Sequence, residues 1–231
     1  SHPREGLVPA RIIEEQREAY RIVAEAGEMT AEIIGHLRHS AVDRSAFPAV
    51  GDWVAVRAMA SENKALIHEV LPRRTKLSRK VAGERTAEQI LVTNVDVVFL
   101  VTSLNADLNL RRIERYLGTV WDSGAQPVIL LNKADLCADS ETAAAEVAQI
   151  APGVNIHVLS AIAAEGLDEL VPYMGPGNTV VLLGSSGVGK STITNQLLRS
   201  NVQSTIEIRS GDDRGRHATT YRRLFLMPAG G

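Results

Sequence analysis

The chain opens with short runs of apolar and β-branched residues: Val8 to Ile13, Ala19 to Ala24, Met29 to Leu37, Trp53 to Val56 and Ala65 to Val70. Turn-forming groups such as Ala26-Gly27 and Val50-Gly51-Asp52 separate several of them. Five short strands within roughly 65 residues fit a small β-barrel, for which the OB-fold is the commonest five-stranded solution. An SH3-like barrel reads almost the same way. Downstream the pattern changes. Val95 to Thr102 is a buried-strand run, and Leu110, Ile113, Leu117, Val120 and Trp121 recur at helical spacing behind Asn109, a candidate cap. Strands at Pro127 to Leu131, Val154 to Leu159 and Thr179 to Leu183 alternate with helices at Ser140 to Ile150, Leu167 to Tyr173 and Lys190 to Arg199. This alternation predicts a mostly parallel α/β sheet with helices on both faces. The expected division is a barrel over 1–72, a connector over 73–92 and an α/β domain over 93–231.

Composition narrows the classes. The chain has 231 residues, 45% of them apolar, enough for one sizeable core or two smaller ones. A formal net charge of −2 and a pI near 6.3 exclude a strongly basic nucleic-acid coat protein but not a local basic patch. Such a patch lies in the connector, at Arg73, Arg74, Lys76, Arg79, Lys80 and Arg85. It reads either as a solvated linker or as a contact for RNA phosphates; exposed aromatics for base stacking are not evident there. Cys137 is the single cysteine, so this chain holds no internal disulfide and no multi-cysteine zinc site. His36 and His39, three apart in a β-like segment, do not suggest a metal site. No signal peptide and no apolar run approaching about 18 residues are present, so a soluble, cytoplasmic protein without a membrane partner is expected.

The chemistry sits in three loops. Gly184-Ser185-Ser186-Gly187-Val188-Gly189-Lys190-Ser191 is a complete phosphate-binding loop, placed between an apolar strand and a helix. Its glycines let backbone N–H groups wrap a phosphate chain, and the helix N-terminus adds partial positive charge. Lys190 is assigned to the β- and γ-phosphates and Ser191 to Mg²⁺, with Thr192 completing the binding set. Asn132-Lys133-Ala134-Asp135 follows the strand Pro127 to Leu131. There the Asp135 carboxylate can accept both the ring N–H and the exocyclic amine of guanine, donors that adenine does not offer in that place. Asn132 can reach the imidazole edge or tether neighbouring loops, and the Lys133 stem can cover the base. Ser160-Ala161 closes the next strand, where small residues let a backbone N–H approach the guanine carbonyl oxygen. The motif order is unusual: Ras-type GTPases run from phosphate loop to Asn-Lys-x-Asp, whereas here Asn132 precedes Gly184. A binding site is spatial, so the order marks a circular permutation, with Pro172 to Asn178 as the natural joint.

In these features the chain resembles the circularly permuted ribosome small-subunit-dependent GTPase A family. Pro48-Ala49-Val50-Gly51-Asp52-Trp53-Val54 is similar to its barrel signature, and Arg73-Arg74-Thr75-Lys76-Leu77-Ser78-Arg79-Lys80 to its connector. Ala87-Glu88-Gln89 and Asn94-Val95-Asp96 resemble the entry to its GTPase sheet, and Gly215-Arg216-His217-Ala218-Thr219-Thr220 its switch I. The resemblance implies an N-terminal OB-fold, a permuted GTPase core, a C-terminal zinc-binding helical domain and a late role in small-subunit maturation. It also implies a part for His217 in hydrolysis. Ala218 stands where the switch motif usually has Thr, which makes Thr219 the candidate for sensing Mg²⁺ and the γ-phosphate. The chain ends at Pro228-Ala229-Gly230-Gly231, where the family pattern continues into the Asp-x-x-Gly switch II strand and the zinc domain. Tyr221 to Met227 then reads as half a hairpin, whose partner would be a central strand beside the phosphate-loop strand. A longer parent protein is expected, and Zn²⁺ would enter only with its C-terminal domain.

The sequence thus describes a GTP-hydrolysing, rRNA-binding factor, a monomer that binds GTP or GDP with Mg²⁺ and acts on the small ribosomal subunit. Lys190, Thr219 and His217 carry the catalytic assignment, and Ser191 and Thr219 the metal. One rival is a P-loop kinase or ATPase, against which Asp135 argues. Another is an RNA-binding assembly factor that binds nucleotide without turnover.

Overall fold

The computed structural model describes residues 6–16, 19–40, 44–81, 87–105, 108–199, 222–228 and 230–231. They divide into two compact units. One reaches Asn94 and includes residues 222–225; the other begins at Val95 and includes the described residues after 225.

In the first unit, β1 (Val8–Glu15), β2 (Tyr20–Ala24), β3 (Gly27–Ile33), β4 (Trp53–Met59) and β5 (Lys64–Val70) close a barrel in the order β1-β2-β3-β5-β4. The parallel pairing of β3 with β5 and the helix α1 (Gly35–Ser40) between β3 and β4 give the OB arrangement of the two barrels considered. Inward positions alternate as a pleated strand requires, placing Ala10, Ile12, Tyr20, Ile22, Met29, Ala31, Val54, Val56, Ala65 and Ile67 in one core. The run Met29 to Leu37 is not one strand: it ends at Ile33, and Gly35 opens α1, so His36 lies on a helix.

The stretch read as a basic connector contains a hairpin of β6 (Lys76–Val81) and β7 (Ala87–Thr93), with Leu77 and Val92 buried. Its first residue is no solvated cation. Arg73 grips the fully buried Asp52 with two hydrogen bonds, Nε to Oδ1 at 2.8 Å and Nη2 to Oδ2 at 2.7 Å. It also donates to the carbonyls of Ser45 and Phe47. Gly51, in the turn before β4, has φ +93°, and a β-carbon there would lie 2.2 Å from the Thr93 carbonyl oxygen. Only glycine fits so close to β7.

In the second unit, β8 (Val97–Ser103), β9 (Gln126–Asn132), β10 (Asn155–Val158) and β11 (Val180–Leu183) form a parallel sheet in the order β10-β9-β8-β11. All seven residues of β8 are buried, as expected of a strand covered on both faces. Phe99, Val101, Val128 and Leu130 share one core with Leu170 and Met174 of a 3-10 segment and with Ile193 of α4 (Lys190–Leu198). The other face, by alternation, carries Val98, Leu100, Ile129 and Leu131, and α2 (Leu110–Ser123) and α3 (Ser140–Ile150) lie against each other. Asn109 caps α2 by accepting from the Arg112 N–H, and Gly124 ends it in the left-handed conformation.

Leu167 to Tyr173 forms a 3-10 helix, Asp168–Met174, with Pro172 inside it. The half-hairpin expected at Tyr221 to Met227 is not a strand over its described residues. Arg223 makes an isolated bridge with Glu14 of β1, toward whose buried carboxylate its guanidinium points, and Leu224 N–H donates to the Ile13 carbonyl.

Candidate functional site

The three loops picked from the sequence emerge at the carboxyl ends of β9, β10 and β11, where parallel sheets bind ligands. Each loop is shaped by close packing. Gly184 leaves β11 beside β8, and a β-carbon on it would lie 2.2 Å from the Val101 carbonyl oxygen. Gly187 has φ +79° at the exposed tip. Val188 is buried in the sheet core and anchors the loop from below. Gly189, at φ +101°, starts α4 with no side-chain cap, which leaves first-turn N–H groups for a ligand. Ser185 and Ser186 complete the loop. Ser191 and Thr192 sit half-buried in the first turn of α4.

Lys190 folds back across the loop, with Nζ donating to the carbonyls of Gly184 at 2.9 Å and Ser185 at 2.5 Å. Burial lowers its pKa from the ordinary lysine value, because the charged form loses hydration. An anionic phosphate chain at this place would supply the opposite charge.

Asn132 is the centre of the arrangement. It is buried, its Nδ2 donates to the Val188 carbonyl at 2.8 Å, and its Oδ1 accepts from the Ala161 N–H at 3.0 Å. One side chain therefore joins the phosphate loop to the loop after β10; of the two roles read for Asn132, the tether is the one formed. Lys133 follows with φ +65°, turning the chain so that Asp135 reaches solvent. The Ser160 hydroxyl donates to Asp135 Oδ1 at 2.5 Å, orienting the carboxylate. Ser160 also bridges Glu165 through two backbone hydrogen bonds.

Two contributors were missed in the sequence. Gln196 of α4 donates Nε2 to the Ala161 carbonyl at 3.1 Å, a tie between the helix and the loop after β10. Gly166, at φ +73°, would place a β-carbon 2.7 Å from the Val158 carbonyl oxygen. A lone helical glutamine carries no sequence signal, whereas Gly166 shows only as one more loop glycine. His217 and Thr219 lie outside the described residues.

Among the described residues, no group of three or more His, Cys, Asp or Glu could hold a metal ion. Mg²⁺ does not require one. It keeps several waters and takes a hydroxyl together with phosphate oxygens, so the chemistry of Ser191 fits it.

A family model described as RsgA GTPase matches residues 70–231. The chain belongs to that family. Among curated RsgA relatives, one named small ribosomal subunit biogenesis GTPase RsgA 2, from Lactiplantibacillus plantarum, is 47% identical over 97% of this chain and 63% of its own. The RsgA of Opitutus terrae, named small ribosomal subunit biogenesis GTPase, is 48% identical over 98% of this chain and 64% of its own. The chain thus spans just under two thirds of the length of these relatives. Two solved structures share the fold at 22% identity. YjeQ from Thermotoga maritima has a TM-score of 0.67, covering 82% of this chain and 64% of its own. YloQ, described as a circularly permuted GTPase, has a TM-score of 0.62, covering 86% and 66%. This chain thus combines the closed barrel and the parallel sheet with the motif order in which Asn132 precedes Gly184. None of the helices among the described residues is long and apolar enough to cross a membrane.

Proposed function

We propose that this chain is the barrel and nucleotide-binding part of a cytoplasmic, monomeric GTPase that acts in maturation of the small ribosomal subunit. The observation that carries the reading is Asn132, which ties the phosphate loop at Val188 to the base-side loop at Ala161. A kinase-like or ATP-binding site has no need for this link between an Asn-Lys-x-Asp turn and a phosphate loop.

Asp135, held by Ser160, selects guanine by accepting from its two donors. The N–H groups of 184–189 and the start of α4 bind the phosphate chain, and Lys190 moves from the loop carbonyls to the β- and γ-phosphate oxygens. Ser191 and Thr219 would hold Mg²⁺, which neutralises charge developing on the transferred phosphoryl group. His217 is assigned to orienting the attacking water. The barrel contacts ribosomal RNA. The names of the relatives support the ribosomal role, and the barrel fold supports the RNA contact.

The test is phosphate release from GTP by the full-length protein, with and without purified small subunits, under ATP competition. GTP turnover stimulated by subunits and unaffected by ATP is expected. Binding without turnover in both conditions would overturn the catalytic part.

A further inference from the structure

Trp53 stands at the start of β4 with 43% of its surface exposed. Arg11 is its cross-strand partner on β1, and the Arg11 guanidinium lies over the indole at 5.4 Å from the ring centroid. Arg11 Nη2 donates to the Asn94 carbonyl at 3.3 Å. Asn94 does more than receive that bond. Its Oδ1 accepts the Arg74 N–H at 2.9 Å, and its Nδ2 donates at 3.0 Å to the carbonyl of Gly51, in the turn leading to Trp53. A single buried residue thereby fixes the turn before the indole, the cation above it and the chain bearing Arg74. Arg74 and Lys76 are exposed, and residues 71–83 contain five basic side chains and no acidic one. Glu69, paired with Ala55, is an acid on the adjoining strand β5.

We propose that Trp53 is a stacking platform for an unpaired RNA base, with Arg11 and Arg74 receiving the flanking phosphates. The proposal rests on the reading that the barrel contacts RNA and gives that contact a place and a chemistry. The indole contributes nothing to the barrel core, which closes without it. One side of the indole faces the Arg11 guanidinium, and its neighbour at the end of β5 is Leu71, whose N–H donates to the Trp53 carbonyl and which leads directly into the basic run from Arg73. A cation on the ring beside a basic segment suits a polyanion whose bases have aromatic faces. The connector lacks an aromatic of its own, but the fold supplies one from β4. Both neighbouring strands pair with β4, so the platform is held before binding and little ordering is needed.

The chain has two tryptophans, so Trp121→Phe leaves Trp53 as the sole indole reporter. This variant is titrated with single-stranded RNA decamers and with an RNA hairpin of the same length. Stronger quenching by single strands than by the hairpin is expected. Trp53→Ala should weaken single-strand binding by about five- to a hundredfold, and Arg11→Ala should weaken it and flatten its salt dependence. Trp53→Phe should retain much of the affinity. Fluorescent GDP binding and the far-ultraviolet circular dichroism of each variant should match the parent chain, which reports that the fold is kept. Unchanged RNA affinity in Trp53→Ala overturns the platform while leaving the RNA reading in place. No RNA binding by the parent chain overturns both. Quenching by RNA-free ribosomal proteins, and not by RNA, makes the occupant a protein and also overturns the proposal.

Discussion

Asn132 and Gly189 fill the same corner of the proposed nucleotide site: a β-carbon on Gly189 would lie 2.2 Å from Asn132 Nδ2. That amide already spends its donor on the Val188 carbonyl. Gly189→Ala therefore forces either the left-handed backbone at φ +101° or the Asn132 tether to give way. Strain together with two displaced hydrogen bonds amounts to roughly 2–4 kcal/mol. Guanine-nucleotide affinity should fall at least about thirtyfold, as read by titration with a fluorescent GDP. Because the two changes act on one contact, Gly189→Ala with Asn132→Ala should lose less than the sum of the singles.

Asp135→Asn should weaken GTP binding strongly and shift preference toward xanthine nucleotides, since an amide can donate where xanthine presents a carbonyl. Ser160→Ala tests the orienting bond at 2.5 Å. A hydrogen bond to a charged group contributes about 1.5–3 kcal/mol, so affinity for GTP and GDP should drop together by about tenfold or more. Competition binding with GTP, GDP and XTP measures both variants.

Lys190 gives a pH signature. Burial holds its pKa below the ordinary value, so in the interval between the two the folded chain binds fewer protons there than the unfolded chain. The associated handicap to folding is full at lower pH and is relieved as pH rises through that interval. Phosphate raises the pKa again. Nucleotide affinity should therefore decline with rising alkalinity, beginning below the usual lysine range. Calorimetric titrations of wild type and Lys190→Arg across that range separate this effect from ionisation of the guanine ring, which persists in both. Parallel pH profiles for the two proteins would refute the assignment.

Arg73→Ala leaves Asp52 buried without its bidentate partner, and the carbonyls of Ser45 and Phe47 lose a donor. Breaking such a buried pair from one side costs about 3–5 kcal/mol. The denaturation midpoint of the barrel should fall accordingly, while Arg73→Ala with Asp52→Ala should recover part of the loss. Equal stability of Arg73→Ala and the parent would return Arg73 to the solvated connector.

What the sequence disclosed follows from how local each signal is. The phosphate loop is eight consecutive residues, and β8 is an unbroken apolar run, so both are legible without the fold. The β6–β7 hairpin is not. Lys76-Leu77-Ser78-Arg79-Lys80 buries only Leu77 among its described side chains, and a strand with one inward residue has no period to read. Helix α1 was hidden because Ile33, Ile34 and Leu37 prolong an apolar run through the turn at Gly35. The Asp52–Arg73 grip and the Asn132–Ala161 bond join residues distant in sequence, and nothing in either segment announces its partner.

The permuted order also has a consequence in time. The phosphate loop hangs from β11, which is docked at its start by the Thr179 N–H donating to Asp96 Oδ2 across 83 residues of chain. Closing so long a loop is slow, and it gains little until the intervening strands and helices are in place. The pairing of β9 and β10, by contrast, joins neighbours. The loops after β9 and β10 are thus expected to form before the phosphate loop, an order that refolding followed by a probe in each loop would test. A ligand held by contacts absent from the folding transition state slows unfolding and leaves the folding rate nearly untouched. Guanine nucleotide is therefore expected to slow unfolding of this chain without speeding its refolding, a latch on a finished molecule and not a template for making one.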